Sequence, residues 1–95
     1  MTVGVVYEFE GATLSQYDEV LKELGVSPRG QSAAPECAFH WVTETKSGIQ
    51  VTDVWESREA FGRFAEELGP ITQKVGFPNP PIPVFHEVHN YLTGG

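Results

Sequence analysis

Residues 3–9 (VGVVYEF) alternate in character, with Val3, Val5, Tyr7 and Phe9 on one side and Val6 on the other. A period of two predicts a strand. After Gly11 the rhythm changes, and Leu14, Tyr17, Val20, Leu21 and Leu24 recur at helical spacing. The pattern Thr13-x-x-Gln16 is a capping box that opens this helix, and Gly25 closes it. Residues 27–36 (SPRGQSAAPE) read as a surface loop. Residues 37–56 (CAFHWVTETKSGIQVTDVWE) read as a hairpin, because both halves are rich in β-branched and aromatic residues. Lys46-Ser47-Gly48 supplies a three-residue turn with Gly in the left-handed position. That turn places Thr45 opposite Ile49, Thr43 opposite Val51, Trp41 opposite Asp53 and Phe39 opposite Trp55, all on one face. Ala38, His40, Val42, Glu44, Gln50, Thr52, Val54 and Glu56 fall on the other.

Ser57 then caps a second helix with Phe61, Phe64, Ala65 and Leu68 on its apolar stripe. Gly69-Pro70 is expected to break it, with Pro70 starting a short turn that runs to Val75. Residues 77–83 (FPNPPIP) hold four prolines and predict an extended surface path. Residues 84–92 (VFHEVHNYL) read as the last strand, and residues 93–95 as a frayed tail. The order strand, helix, strand, strand, helix, strand predicts an α+β domain of ferredoxin-like βαββαβ plan. Its four-stranded antiparallel sheet has both helices on one face, and its first and third strands are central. Val6, Val42 and Val54 are assigned to the face under the helices. Tyr7, Phe9, Phe39, Trp41 and Trp55 are assigned to the opposite face, an aromatic patch too large to leave in water. A second copy packed on it by two-fold symmetry would cover it, so the expectation is a homodimer through the sheet face.

Ninety-five residues form a single domain, 1–95, and 40% hydrophobic with 20% charged residues is a globular mixture. The formal charge of −7, with six scattered Lys and Arg, opposes binding to nucleic acid or to an anionic membrane surface. The first residues (MTVGVVYEFEG) have neither the basic segment nor the long apolar run of a signal or membrane span. One cysteine, Cys37, allows no intramolecular disulfide and fits a reducing cytoplasm, where a small buried thiol is the expected role.

Candidate chemistry centres on Asp53. A carboxylate on the aromatic face of a central strand, beside Trp55 and opposite Trp41, would be raised in pKa by desolvation and suited to act as a base. The alternatives are an inward charge paired with Arg or Lys and one lying at the open end of the barrel. His40, His86 and His89 raise the question of a metal, but residues three apart on a strand point to opposite faces, so His86 and His89 cannot share an ion without a bulge. No His-x-His, no Glu-x-x-His on either helix and no Cys cluster is present, so neither metal nor cofactor is expected. One of His86 and His89 facing a cavity is expected to act with Asp53 as base or proton carrier, with a half-buried, hydrogen-bonded histidine as the alternative. Tyr7, Trp41 and Trp55 are the expected ligand-binding residues, bounding a cavity with Asp53.

The order of elements and the run VTDVWESREAFGRFAEE resemble the dimeric α/β-barrel superfamily, which includes small monooxygenases of antibiotic biosynthesis, haem-degrading monooxygenases and muconolactone isomerases. The resemblance spans nearly the whole chain as a plan, but as a motif only residues 51–67. It implies a barrel of two facing sheets with a ligand cavity. Haem-degrading members share a third-strand Trp, which maps to Trp55, but also use an Asn on the first strand and a His on the second helix. Here those places offer Val5 and Tyr7, and no histidine, so the resemblance implies no haem. Cofactor-free members imply an apolar cavity lined by Trp in which an electron-rich phenol is itself oxidised by O₂. The expectation is a cytoplasmic homodimer that binds a small apolar or aromatic molecule and oxidises or isomerises it, with a non-enzymatic dimer as the competing class.

Overall fold

The computed structural model describes residues 1–26 and 34–93. Most of the loop read over 27–36, and Gly94 and Gly95 of the tail, lie outside the described residues. The elements are β1 (Val3–Glu10), α1 (Leu14–Leu24), β2 (Cys37–Glu44), β3 (Gly48–Trp55), α2 (Arg58–Val75) and β4 (Ile82–Glu87). The strands form one antiparallel sheet in the order β2-β3-β1-β4. This is the ferredoxin-like plan with β1 and β3 central, as the element order predicts. Among the described residues, no helix is long and apolar enough to cross a membrane.

Val3, Val5, Tyr7 and Phe9 of β1 are buried, as are Ile49, Val51, Asp53 and Trp55 of β3, and they pack with Val20 of α1 and Ala60, Phe61 and Leu68 of α2. A fully buried Val or Ile of this kind is worth roughly 1.5–3 kcal/mol over an exposed one. Both helices start, and α1 stops, where the sequence predicts local signals. Thr13 and Gln16 complete the capping box of α1, Ser57 accepts from the Ala60 N–H, and Gly25 and Gly76 end the helices in the left-handed conformation.

Three expectations are corrected. The first is the hairpin register. Lys46 and Ser47 alone lie between the facing residues Thr45 and Gly48, with the Thr45 N–H donating to the Gly48 carbonyl at 2.8 Å and the Gly48 N–H to Thr45 Oγ1 at 3.1 Å. Glu44 therefore pairs with Ile49, Trp41 with Thr52 and His40 with Asp53. A slip of one residue sends every β2 side chain to the other face. The face assignment of the central strands is also reversed: Tyr7, Phe9 and Trp55 lie under the helices, and only Phe39 and Trp41 of the expected aromatic patch face away. Gly48 is not in a left-handed conformation. Its role is close approach, since a Cβ there would stand 2.2 Å from the Phe9 carbonyl oxygen and 2.9 Å from the Gly11 nitrogen. A register shift between Cys37 and Phe39 then returns Cys37 to the side of Trp55, where the thiol is buried and donates to the Phe39 carbonyl at 3.3 Å.

The second correction concerns α2, which runs unbroken through Pro70. Proline removes one N–H from the ladder, but Leu68, Ile71, Thr72 and Val75 continue the buried stripe against the core, and that packing outweighs the local break. The third is β4, which begins at Ile82 and ends at Glu87 rather than spanning 84–92. Pro83 is admitted because β4 is an edge strand.

The face away from the helices carries Phe39, Trp41, Ile82 and Val84, which are 45%, 47%, 71% and 49% exposed in the single chain, with half-buried Val6 and Val54 between them. An apolar patch is present there, but it keeps only Phe39 and Trp41 of the expected residues and lies beside Gln50, Thr52 and His86 of the same face.

The close approach at Gly48 has a direct test. Gly48→Ala must push two backbones apart, at a cost of about 1–3 kcal/mol, the range for forcing a methyl into a packed site. Its melting temperature should fall by several degrees, and an unchanged melt would contradict the tight crossing of the turn with β1.

Candidate functional site

With 1% exposure, Asp53 is the buried carboxylate of the core, which also includes Thr72 among its polar members. An unpaired charge at that depth would cost several kcal/mol, so its hydrogen bonds decide whether the fold is stable. Tyr7 Oη donates to Asp53 Oδ2 at 2.9 Å, and Trp55 Nε1 donates to the same oxygen at 2.9 Å. The other oxygen, Oδ1, lies 2.6 Å from Nδ1 of His40. All three partners follow from strand geometry. Tyr7 lies diagonally across from Asp53, whose direct partner on β1 is Val5; Trp55 is two residues along β3 on the same face; and His40 is its direct partner on β2.

The network continues outward. His40 Nε2 is hydrogen-bonded to the Tyr17 hydroxyl, presented by the first turns of α1. The two rings lie within 9° of parallel with centroids 5.9 Å apart, so the phenol meets the edge of the imidazole rather than its face. The His40 side chain is 29% exposed, which makes it the passage from the buried carboxylate toward the surface.

Donors and acceptors assign the protons. Trp55 can only donate, and both it and Tyr7 address Oδ2, leaving Oδ1 to accept from Nδ1–H of His40. Nε2 then has a lone pair to accept from Tyr17. Burial pushes the Tyr17 phenol up to about 12, with the charges of Asp53 and Asp18 adding to the effect, so it keeps its proton and donates it. Tyr7 is held well above the usual phenol value, first by burial and then by the Asp53 charge and its hydrogen bond. The chain Asp53–His40–Tyr17 is thus a carboxylate, an oriented imidazole and a phenol in series. Such an arrangement can accept a proton at its outer end and stabilise the resulting imidazolium at its inner end.

The candidate residues separate under this geometry. Asp53, Tyr7 and Trp55 meet as expected, but Tyr7 and Trp55 spend their O–H and N–H on the carboxylate and are themselves buried. Trp41 stands on the opposite face, so no cavity is bounded by all four. His86, paired with Gly4, lies exposed on that opposite face, and His89 is exposed beyond β4, so neither is brought to Asp53. The histidine that meets it is His40, a partner hidden by the one-residue error in turn length. Tyr17 was legible only as a member of the α1 stripe, although a tyrosine in a stripe of leucines carries a polar tip that needs a partner. Among the described residues, no group of three or more His, Cys, Asp or Glu could hold a metal ion.

The sequence matches no protein-family model and no curated protein. Solved structures with the same fold include Rv0793 from Mycobacterium tuberculosis, with a TM-score of 0.62 and 14% identity over 98% of this chain and 100% of that one. SnoaB, a cofactor-independent oxygenase from Streptomyces nogalater, aligns with a TM-score of 0.58 and 12% identity over 98% and 97% of the two chains. A monooxygenase from the gene ActVA-Orf6 of Streptomyces coelicolor, in complex with nanaomycin D, aligns with a TM-score of 0.54 and 17% identity over 99% and 92%. At these identities the likeness establishes the fold.

The elevated phenols make a prediction about pH. Tyr17 binds its proton more tightly in the folded chain than in the unfolded one, so the stability it contributes is present below pH 10 and is lost as pH rises toward about 12. Denaturant melts across that window should show stability falling with pH, more shallowly in Tyr17→Phe. Equal slopes in the two proteins would contradict the buried position of this phenol.

Proposed function

We propose that this protein binds a small, largely apolar or aromatic molecule bearing an acidic hydroxyl and removes its proton through the His40–Asp53 pair, enabling direct oxygenation by O₂ without a cofactor. The observation that carries the reading is the 2.6 Å contact between His40 Nδ1 and the buried Asp53 carboxylate, which orients Nε2 as an acceptor. The oxygenase and monooxygenase among proteins of this fold lend support, since SnoaB is described as cofactor-independent.

The chemistry balances without an added reductant. Loss of the hydroxyl proton gives an electron-rich phenolate, which transfers one electron to O₂. Recombination of the radical pair forms a carbon–oxygen bond at a ring position bearing hydrogen. A proton returned from the imidazolium completes a hydroperoxide, and cleavage of its O–O bond with loss of the ring hydrogen expels water and leaves a quinone. One oxygen atom enters the product and the other leaves as water, the substrate itself supplying all four electrons that reduce O₂. The protein's part is to hold the proton at Nε2 and to keep the phenolate near an apolar wall, where solvent does not quench it.

Asp53 and His40 are the catalytic residues of this proposal, with Tyr7 and Trp55 positioning the carboxylate. His86 and His89, the histidines favoured by the sequence pattern, are left outside it by their places on the opposite face and beyond β4. Oxygen uptake with a panel of hydroxylated naphthalenes and quinols should therefore fall about 10²–10⁴-fold in Asp53→Asn and in His40→Gln, the usual worth of a general base. Full turnover in both variants would rule the base assignment out.

A homodimer through the open sheet face is part of the proposal and is supported by the exposed Phe39, Trp41, Ile82 and Val84. The same face supports the second reading, a dimer with no turnover. Light scattering should give twice the chain mass, and Trp41→Glu should return it to a single chain by burying an unpaired charge. A monomeric parent protein would remove both the dimer and this second reading.

A further inference from the structure

We infer that Tyr17 is the residue that touches the substrate, its phenol oxygen accepting the substrate's hydroxyl proton while its own proton passes to Nε2 of His40. This rests on the proposed role of His40 and Asp53 as the base and adds the atom through which they are reached.

Both imidazole nitrogens of His40 are already occupied. The Nε2 lone pair of His40 is engaged by the Tyr17 hydroxyl, and Nδ1 is engaged by Asp53. A substrate hydroxyl aimed at the imidazole itself would have to break the Tyr17 contact first. Tyr17 offers a route that breaks nothing, because a phenol oxygen that donates one hydrogen bond still has acceptor capacity. In the transfer, the substrate O–H bond breaks and a new O–H bond forms on Tyr17. The original Tyr17 O–H breaks and an N–H forms on Nε2. Tyr17 ends neutral, as it began. The substrate becomes an anion, His40 an imidazolium and Asp53 remains the counter-charge, so the separated charges sit on the two ends of one hydrogen-bonded chain.

Three features favour the relay. The Tyr17 and His40 rings are close to parallel and meet edge-on, the alignment in which an O–H points along the lone pair of an imidazole nitrogen. Tyr17 is held by a regular helix, with its N–H bonded to the Thr13 carbonyl at 3.0 Å in the capped first turn. It is half-buried, whereas Tyr7, the other phenol on Asp53, is 3% exposed and donates inward.

The relay also selects its substrate. The proton must come to rest on an imidazole, a far weaker base than an alkoxide, so the donor has to be a hydroxyl far more acidic than that of an alcohol. Activated phenols, hydroxyquinones and enols of dicarbonyls qualify, and simple alcohols do not. Asp18 beside Tyr17, Asp53 behind it and the net charge of −7 all discourage a ligand that arrives already ionised. The substrate should therefore enter as the neutral acid and be ionised in place.

The test uses 4-nitrophenol, whose phenolate has its own visible absorbance, titrated with the full chain at a pH just below the probe's own transition. The parent protein should raise the phenolate-to-phenol ratio by about tenfold or more, the effect of a favourable charge partner. Tyr17→Phe, which removes one oxygen and keeps the ring, should lose that increase, and Asp53→Asn and His40→Gln should lose it too. Circular dichroism of each variant checks that the fold is kept, and Tyr17→Leu, which restores a residue suited to the α1 stripe, serves as a second deletion of the hydroxyl. If both Tyr17 variants ionise the probe as the parent does while His40→Gln does not, His40 acts directly and the relay is overturned with the base intact. If the parent itself leaves the probe's ionisation unchanged, both the relay and the base assignment fall.

Discussion

The buried carboxylate of Asp53 is the constraint around which the rest of this structure is arranged. A charge in a core of Val, Ile, Phe and Trp is tolerable only when its oxygens are filled, and here two donors share Oδ2 and a third takes Oδ1. Tyr7 on β1, Trp55 on β3 and His40 on β2 are thus fixed relative to one another by a single group on a central strand. Tyr17 ties α1 to the same chain. Removing Asp53 would strand a phenol, an indole N–H and an imidazole in a poorly hydrated space, and each stranded buried group costs about 1–3 kcal/mol. Structure and proposed chemistry therefore draw on the same contacts.

The asymmetry of the sheet follows from that arrangement. The face under the helices holds the polar network inside an aromatic shell, where Phe61 packs edge-on against Tyr7, Trp55 and Phe85. Arg58 covers the outer edge of this shell, its guanidinium 4.2 Å from the Phe85 ring centre. The other face is not covered by either helix and carries an exposed apolar patch of Phe39, Trp41, Ile82 and Val84 beside polar side chains such as Gln50, Thr52 and His86. One face holds the buried polar network and the other an exposed apolar patch, and a single turn decides which β2 residues belong to each.

Much of the fold was legible in the residues. Alternation in β1, the capping box at Thr13, Ser57 before α2 and the order of elements were enough for the plan and for the central strands. The site was half legible. Asp53 stood out because a carboxylate within a run of Val and Trp is anomalous, and Tyr7 and Trp55 were grouped with it correctly. Its partner histidine was not, because two-residue and three-residue readings of Lys46-Ser47-Gly48 differ by one residue and reverse the face of β2. The glycine that favoured the longer turn serves a different purpose, letting β3 pass the end of β1. Likewise Gly69-Pro70 carries a strong local stop signal that the apolar stripe of Ile71 and Val75 overrides through tertiary packing, a term absent from local sequence.

The central claim is that Asp53 holds His40 with its proton on Nδ1 and leaves Nε2 to accept from Tyr17. Nitrogen-15 NMR of the histidine side chains, with His40 identified by comparison with His40→Gln, reads this directly, since protonated and unprotonated ring nitrogens resonate in different ranges. The account predicts a protonated Nδ1 and an unprotonated, hydrogen-bonded Nε2 for His40 near neutral pH. A His40 with its proton on Nε2 and a bare Nδ1 would contradict it.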